Sequence, residues 1–271
     1  MATRGPLAPP AVRSLVARNY DRRTAEFRRS GGDDFPGLDW RVSSDDWVLD
    51  LGCGAGGSMA RFAANQSATG WRCGLDIAEA MLRSGRDLFE DRGERATWAL
   101  GDVMTLPFAT GSFDFVISAN TLSHRGRMAC VYREIRRVVK PGGRVALKYR
   151  DARLLDRPVE ALFRAALGET LPDPQEAIEG MYRPARLDQG VEAAKAAGFG
   201  VDHVSSLRID RELTVDESVR RFRVVVGYMF AGIGDADRTR LVDRLREMLE
   251  STAQDGFILN YEAHGTLFLR A

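Results

Sequence analysis

The sequence predicts an α/β protein: a doubly wound, mostly parallel sheet with an N-terminal helix and a helical insertion placed to act as a lid. Two observations carry that prediction. Residues 48–58, Val-Leu-Asp-Leu-Gly-Cys-Gly-Ala-Gly-Gly-Ser, join a short apolar strand to a glycine-rich turn and then to an alanine-rich helix. Downstream, short apolar runs ending near Asp76, Leu100 and Ser118 alternate with helical stretches. Strands covered on both faces by crossover helices read as such runs.

Each element follows in order. Pro9 and Pro10 precede a helix over 11–29, and residues 31–37 form a glycine- and proline-marked loop. Residues 1–45 are therefore a helical cap. A core over 46–150 begins with the strand at Val48, continues with a helix near 57–64, the strand 71–76, a helix near 78–92, and strands at 96–100 and 111–118. A helix from Met128 to Val139 is stopped by Lys140-Pro141-Gly142-Gly143 before a strand over 144–149. Periodicity weakens and prolines appear at 158, 172, 174 and 184, so 151–185 reads as an insertion. A loop leaving the carboxyl end of a strand overhangs the ligand crevice of such a sheet. Residues 186–271 complete the sheet: a helix ending at Gly198, a strand over 201–209, helices near 215–230 and 235–252, and a closing strand or hairpin over 257–269.

Composition narrows the function. The 39 Lys+Arg against 38 Asp+Glu give a formal charge of +1, which provides no global field toward nucleic acid or an anionic membrane. The arginines of the first helix are interrupted by Asp21 and Glu26 and read as a solvated face. Cys53, Cys73 and Cys130 are too widely spaced for a disulfide framework or a zinc site, so no metal and a reducing cytoplasm are expected. The longest apolar run, 224–233, is too short to span a bilayer. Neither a nucleic-acid nor a membrane partner is expected. Monomer and homodimer stay open.

The glycine turn alone does not decide the ligand, because Gly52, Gly54 and Gly57 also have the G-x-G-x-x-G spacing of nicotinamide-dinucleotide folds. Asp76 at the end of the second strand suits ribose hydroxyls in either case. The third segment separates the readings: Gly101-Asp102-Val103-Met104-Thr105-Leu106-Pro107-Phe108, then 111–118, then 138–144 with its Pro-Gly-Gly. This order of motifs, over about Tyr20 to Tyr149, resembles the class I S-adenosylmethionine-dependent methyltransferases, in the small-molecule (methyltransferase type 11-like) branch. The resemblance implies a seven-stranded Rossmann-like sheet, S-adenosyl-L-methionine as cofactor and S-adenosyl-L-homocysteine as product. An NAD-dependent oxidoreductase is disfavoured by the same run and by the lack of a Tyr-x-x-x-Lys pair.

The resemblance also implies roles. Gly52, Gly54 and Gly56 pass under the methionine part of the cofactor, with Asp50 oriented toward its amino group. Asp76 holds the ribose, Asp102 accepts from the adenine amine beside the Val103 backbone, and Ile77 and Met81 cover the ring. Ser118 and Asn120 place backbone groups near the sulfonium. Tyr20, in Asn19-Tyr20-Asp21, closes over the cofactor or packs on the core.

Methyl transfer from a sulfonium has a neutral leaving group, so alignment and exclusion of water matter more than a base. His124 is the candidate base for a hydroxyl or acidic-carbon acceptor; a structural role is its alternative. Relatives often carry His-His and a later acid where this chain has Ser123-His124, Arg125 and Arg127. Lys148 reads as a snorkelling surface lysine, or else as a pocket cation for an anionic acceptor. Tyr149, Tyr182 and Tyr228 are further pocket candidates, while His203 and His264 read as half-buried structural histidines. The apolar segment 221–234 suits a lipophilic or aromatic acceptor such as a natural-product intermediate, or a packing helix. A protein that binds the cofactor without transferring methyl, a cyclisation catalyst or a regulatory binder, would carry the same cofactor motifs.

Overall fold

The structure, a computed structural model, describes residues 42–63, 69–119, 121–122, 128–150, 158–172, 187–229 and 234–271. The expected N-terminal helix with Tyr20 lies outside them, as do Asn120, His124, Tyr182 and the side chains of residues 224–229 and of His264. The elements are β1 Trp47–Leu51, α1 Gly57–Ala63, β2 Trp71–Asp76, α2 Glu79–Asp91, β3 Thr97–Leu100, β4 Phe113–Ala119, α3 Met128–Val138 and β5 Val139–Arg150. They continue with α4 Pro158–Thr170, α5 Leu187–Ala196, β6 Gly200–Thr214, α6 Val215–Met229, α7 Asp235–Thr252 and β7 Phe257–Arg270.

Seven strands form one sheet in the order β3-β2-β1-β4-β5-β7-β6, and the four pairs among β1 to β5 are parallel. The doubly wound, mostly parallel expectation is met. The reversal of strand order beside β1 places the turns after β1 and β4 next to each other, the position at which such sheets bind ligands.

The chain divides into two compact units: Met1–Arg150 with Pro184–Ser205 and Gly265–Ala271, and Asp151–Arg183 with Ser206–His264. In the first unit the pleat of each strand sends alternate residues to opposite faces. Leu49, Leu51, Leu75, Val116 and Leu147 meet Tyr132 and Ile135 of α3 and Leu187 and Ala194 of α5 on one face. Val48, Phe115, Ile117, Ala146 and Phe268 cluster on the other. The helix spacing matches: α3 buries Val131, Tyr132, Ile135 and Val138, one stripe of a 3.6-residue period.

The Lys140-Pro141-Gly142-Gly143 run interrupts the β4–β5 ladder but does not precede the strand. Val139 already pairs with Phe113, and Phe115 next pairs with Arg144, so the intervening residues bulge out. The chain end fastens there: Gly142 N–H donates to the Ala271 carbonyl and Ala271 N–H to that of Gly143.

The second unit is mainly helical. Val159, Phe163, Ala166 and Leu167 of α4 bury against Leu241, Val242, Leu245 and Leu249 of α7, joined by Val219 and Ile258. The weak periodicity expected here hides a regular helix. Pro158 stands at its first position, where a missing N–H costs nothing, and α4 continues for 13 residues.

Candidate active site

The parallel strands bring the turns after β1, β2, β3 and β4 to one edge of the sheet. The first turn has a backbone that glycine adopts without strain: φ is 66° at Gly52, 53° at Gly54 and 81° at Gly56. It is tied to β2 by the N–H groups of Gly52 and Cys53, which donate to the Leu75 carbonyl at 2.7 and 3.1 Å.

Asp76, the next residue, fixes two turns with one carboxylate. It accepts the Gly54 N–H at 2.9 Å and the Ala78 N–H at 2.8 Å, so the glycine turn and the start of α2 share an anchor. Burial pushes the Asp76 carboxyl above its ordinary range, against the opposing N–H bonds from Ala78, Gly54 and Ile77. A carboxylate oxygen that accepts one hydrogen bond has room for a second, so this group retains capacity for hydroxyl donors.

The three glycines serve different neighbours. A Cβ at Gly52 would lie 2.1 Å from Thr121 Oγ1, and one at Gly56 would lie 2.7 Å from the Trp98 ring and 2.9 Å from Phe89. At Gly54 the nearest atom is the terminal methyl of Met81, at 3.1 Å. Gly52 and Gly56 thus admit protein side chains, while Met81, buried on α2, covers Gly54.

Asp102 follows β3. Its Oδ1 accepts the Met104 N–H at 2.9 Å and its carbonyl the Thr105 N–H at 3.0 Å, a side-chain-stabilised turn that leaves acceptor capacity on the carboxylate. Ile77 and Val103 are half-buried. The segment beyond is clamped by α3: Leu106 N–H donates to Glu134 at 2.8 Å, and Arg137 donates to the carbonyls of Phe108 at 2.7 Å and Leu106 at 3.0 Å. Arg137 also pairs with Glu134 at 2.7 Å, and that hydrogen bond, with the Leu106 N–H adding to it, holds the Glu134 carboxyl below its ordinary range.

Asp50 is 1 % exposed and lies on β1 between Gly74 and Ile117. Ser118 is buried, and its hydroxyl donates to the Leu51 carbonyl at 2.9 Å, so the side chain braces β4 to β1. Cys53, inside the turn, and Cys73 are buried. Burial first, then the charge of Asp50, pushes the Cys73 thiol up to about 12 and Cys53 well above its ordinary value. Both stay protonated, which suits neither a nucleophile nor a metal ligand. Among the described residues, no cluster of His, Cys, Asp and Glu could hold a metal ion.

Three sequence readings change, those of Lys148, Tyr149 and His203. Lys148 is 7 % exposed, not a surface lysine, because β5 is covered on both faces. Tyr149 does not line a pocket: the pleat turns it to the α3 and α5 face, where its hydroxyl bonds that of Tyr132, and both hydroxyls fill the space a side chain at Gly190 of α5 would take. Burial raises the pKa of both tyrosines. His203 is exposed rather than half-buried, its ring 6.1 Å from that of Phe268.

Sequence reasoning missed Thr121 and the Glu134–Arg137 clamp. The only trace of the clamp was an ordinary i,i+3 charge pair, and nothing local marked Thr121. The predicted base, His124, lies outside the described residues, as do Asn120 and Tyr20.

Comparison with known proteins bears on this geometry. The family described as "Methyltransferase domain" matches residues 48–143, the stretch from β1 through the Pro-Gly-Gly bulge. The ubiquinone/menaquinone biosynthesis C-methyltransferase UbiE of Cupriavidus metallidurans is 33 % identical over 187 residues, 69 % of this chain and 74 % of that protein. Among solved structures, an S-adenosylmethionine-dependent methyltransferase from Methanosarcina mazei superposes with a TM-score of 0.55 at 16 % identity, covering 87 % of this chain and 97 % of its own. Haemonchus contortus phosphoethanolamine N-methyltransferase 2, in complex with phosphomonomethylethanolamine and S-adenosylhomocysteine, superposes with a TM-score of 0.54 at 20 % identity, covering 96 % and 59 %. These two share the fold. With its motifs in order, its sheet in the expected topology and a relative at this identity over most of its length, the chain belongs to the S-adenosylmethionine-dependent methyltransferases.

Proposed function

We propose that the carboxyl edge of the sheet binds S-adenosylmethionine through Asp76, Asp102 and the glycine turn, and that the chain methylates a small, apolar or aromatic acceptor. The observation that carries this reading is the half-buried Asp76 carboxylate, held by the Gly54 and Ala78 N–H groups with acceptor capacity to spare. Ribose hydroxyls are donors of the kind it lacks. Asp102 serves the adenine amine in the same way, since among the described residues its Oδ1 accepts one turn N–H. Ile77, Met81 and Val103 supply apolar cover. Gly52, Gly54, Gly56 and Asp50 shape the amino-acid end, together with the backbone at Ser118 and Asn120, and Tyr20 closes over the site.

When bound, the cofactor supplies an electrophilic methyl on a cationic sulfur. The residues of the chain then have three tasks: to align the acceptor, to exclude water and, where the acceptor atom carries a proton, to remove it. His124, just past the end of β4, is the group assigned to the last task. A carbon acceptor is favoured, because the relative with 33 % identity is a C-methyltransferase. The apolar segment 221–234 supports a lipophilic or aromatic acceptor, such as an intermediate of secondary metabolism. A reducing, cytoplasmic setting suits the free Cys53, Cys73 and Cys130, and no helix among the described residues is long and apolar enough to cross a membrane.

Mass spectrometry of protein purified without added ligand, followed by titration calorimetry, tests this reading. An adenosyl compound retained on purification and uptake of S-adenosylhomocysteine are expected. Tight NADH binding with no uptake of either sulfur compound would sink the reading. Binding with no turnover across a panel of carbon, oxygen and nitrogen acceptors would leave a binder or a cyclisation catalyst instead.

A further inference from the structure

We infer that Thr121 is a positioning residue of this site: its side chain joins the glycine turn to the end of β4 and sets the shape of the end given above to the amino-acid tail of the cofactor. The inference rests on that reading of the site. Thr121 Oγ1 lies 3.2 Å from the Gly52 carbonyl oxygen and 3.3 Å from that of Ala119. A hydroxyl has one proton, so it bridges both acceptors at once or alternates between them. In either case, the peptides leaving β1 and β4 converge on one donor.

Packing fixes the same relation. Space for a side chain at Gly52 is already taken by Thr121, with Oγ1, Cγ2 and Cβ at 2.1, 2.2 and 2.6 Å from where a Cβ would stand. The residue is therefore seated on the turn by shape as well as by hydrogen bonding. Neighbouring Ser118 bonds to the Leu51 carbonyl at 2.9 Å, so β4 grips the exit of β1 at two successive peptides, Leu51 through Ser118 and Gly52 through Thr121. The Ser118 bond is buried within the sheet, whereas Thr121 lies beyond the strand end and is half-buried. Asp76 holds the far side of the same turn through Gly54. The turn is thus held from β2, through the backbone of Gly52 and Cys53 and through Asp76, and from β4, where Thr121 adds a side-chain contact to Gly52.

The test compares two ligands on the full chain by titration calorimetry: S-adenosylhomocysteine, which has the amino-acid tail, and 5′-methylthioadenosine, which lacks it. Thr121→Val keeps the shape and removes the hydroxyl. It should weaken S-adenosylhomocysteine about three- to tenfold, the range open to one neutral hydrogen bond, leave methylthioadenosine unchanged, and lower the melting temperature by no more than the loss of that one bond. Thr121→Ser should restore the native affinity for the full ligand. Should Thr121→Val fail to fold, Thr121→Ala must show the same ligand-selective loss. Equal weakening of both ligands, no weakening of either, or failure of serine to restore binding overturns the inference. Native protein that binds neither ligand overturns the cofactor reading, and this inference with it.

Discussion

The two edges of the sheet treat their carboxylates in opposite ways. At the amino edge, Asp114 accepts both its short contacts from Lys140, at 2.7 and 2.8 Å, together with the Trp47 N–H at 3.0 Å, and Asp46 pairs with Arg144 at 2.9 Å. At the carboxyl edge, the hydrogen bonds of Asp76 and Asp102 among the described residues come from backbone N–H groups, and the turn after β1 has positive φ at Gly52, Gly54 and Gly56. The amino edge has its charges neutralised within the fold. The carboxyl edge keeps anionic acceptors and a turn built of left-handed glycines, which stability alone gives no reason to retain; a ligand does.

Because the turn is built of glycines packed against side chains, Gly56→Ala should show a large effect on stability. The new Cβ would sit at a φ of 81° and within 2.7 Å of Trp98 and 2.9 Å of Phe89, two rings already in edge contact with each other. A left-handed conformation and overpacking together should cost about 2–4 kcal/mol. Urea denaturation measures this directly. A loss below about 1 kcal/mol would show that the turn is softer than its packing implies, and the contrast between the edges would weaken.

Asp76 separates the edges by function. Asp76→Ala should reduce affinity for S-adenosylmethionine or its demethylated product by about 1.5–3 kcal/mol, the scale of charge-assisted hydrogen bonds. Asp76→Asn keeps the shape and removes the charge, but sets an amide NH2 against one of the two turn N–H groups, so it should lose affinity and about 1 kcal/mol of stability. Unchanged affinity of both variants in calorimetry would remove the ribose assignment.

The same group gives a pH dependence whose sign can be worked out. Its carboxyl is raised in the folded protein, mainly by burial, so the ionised form is disfavoured by folding, and that penalty appears as pH rises through the folded pKa. Hydroxyl donors favour the ionised form. Affinity for S-adenosylhomocysteine should therefore be full above the pKa of the ligand-free protein and fall as pH is lowered through it, by at most about tenfold per pH unit for one proton. Asp76→Asn should abolish that slope. Glu134 acts on stability in the opposite sense: its pKa is lowered by Arg137, so the stability its clamp contributes is present at neutral pH and is lost as pH falls through the depressed value.

What could be read from the sequence was local. The apolar run 48–51, the turn after it and the acid closing the 71–76 run each declare themselves within a few residues, and β1, α1 and β2 lie where those signals put them. Thr121 could not be read this way, because its partner is 69 residues away and the contact exists only once β4 is laid beside β1. Arg137 and Glu134 look like one more solvated pair on a charged helix until Leu106 and Phe108, 28 to 31 residues back, supply the backbone groups they bind. Tyr149 and Lys148 were misread for a different reason. On a strand covered on both faces, polarity no longer marks the outside, and only the pleat and its neighbours say which way a side chain goes.

The smallest predicted effect is at the amino edge. Lys140 and Asp114 form a close pair, but their side chains are 40 % and 30 % exposed, so water and salt screen the attraction. Lys140→Met removes the charge while keeping an unbranched stem beside Trp47, whose ring centre lies 5.8 Å from the native ammonium. Asp114 retains the Trp47 N–H after the change and, being partly exposed, takes up water in place of the ammonium. The expected loss is under about 1 kcal/mol, shrinking further as salt is added, with no change in S-adenosylhomocysteine affinity. Denaturation at two ionic strengths, alongside calorimetry, reads both quantities. A loss of affinity in Lys140→Met would mean that the two edges are coupled through β4, since that strand carries Asp114 at one end and leads into Thr121 at the other.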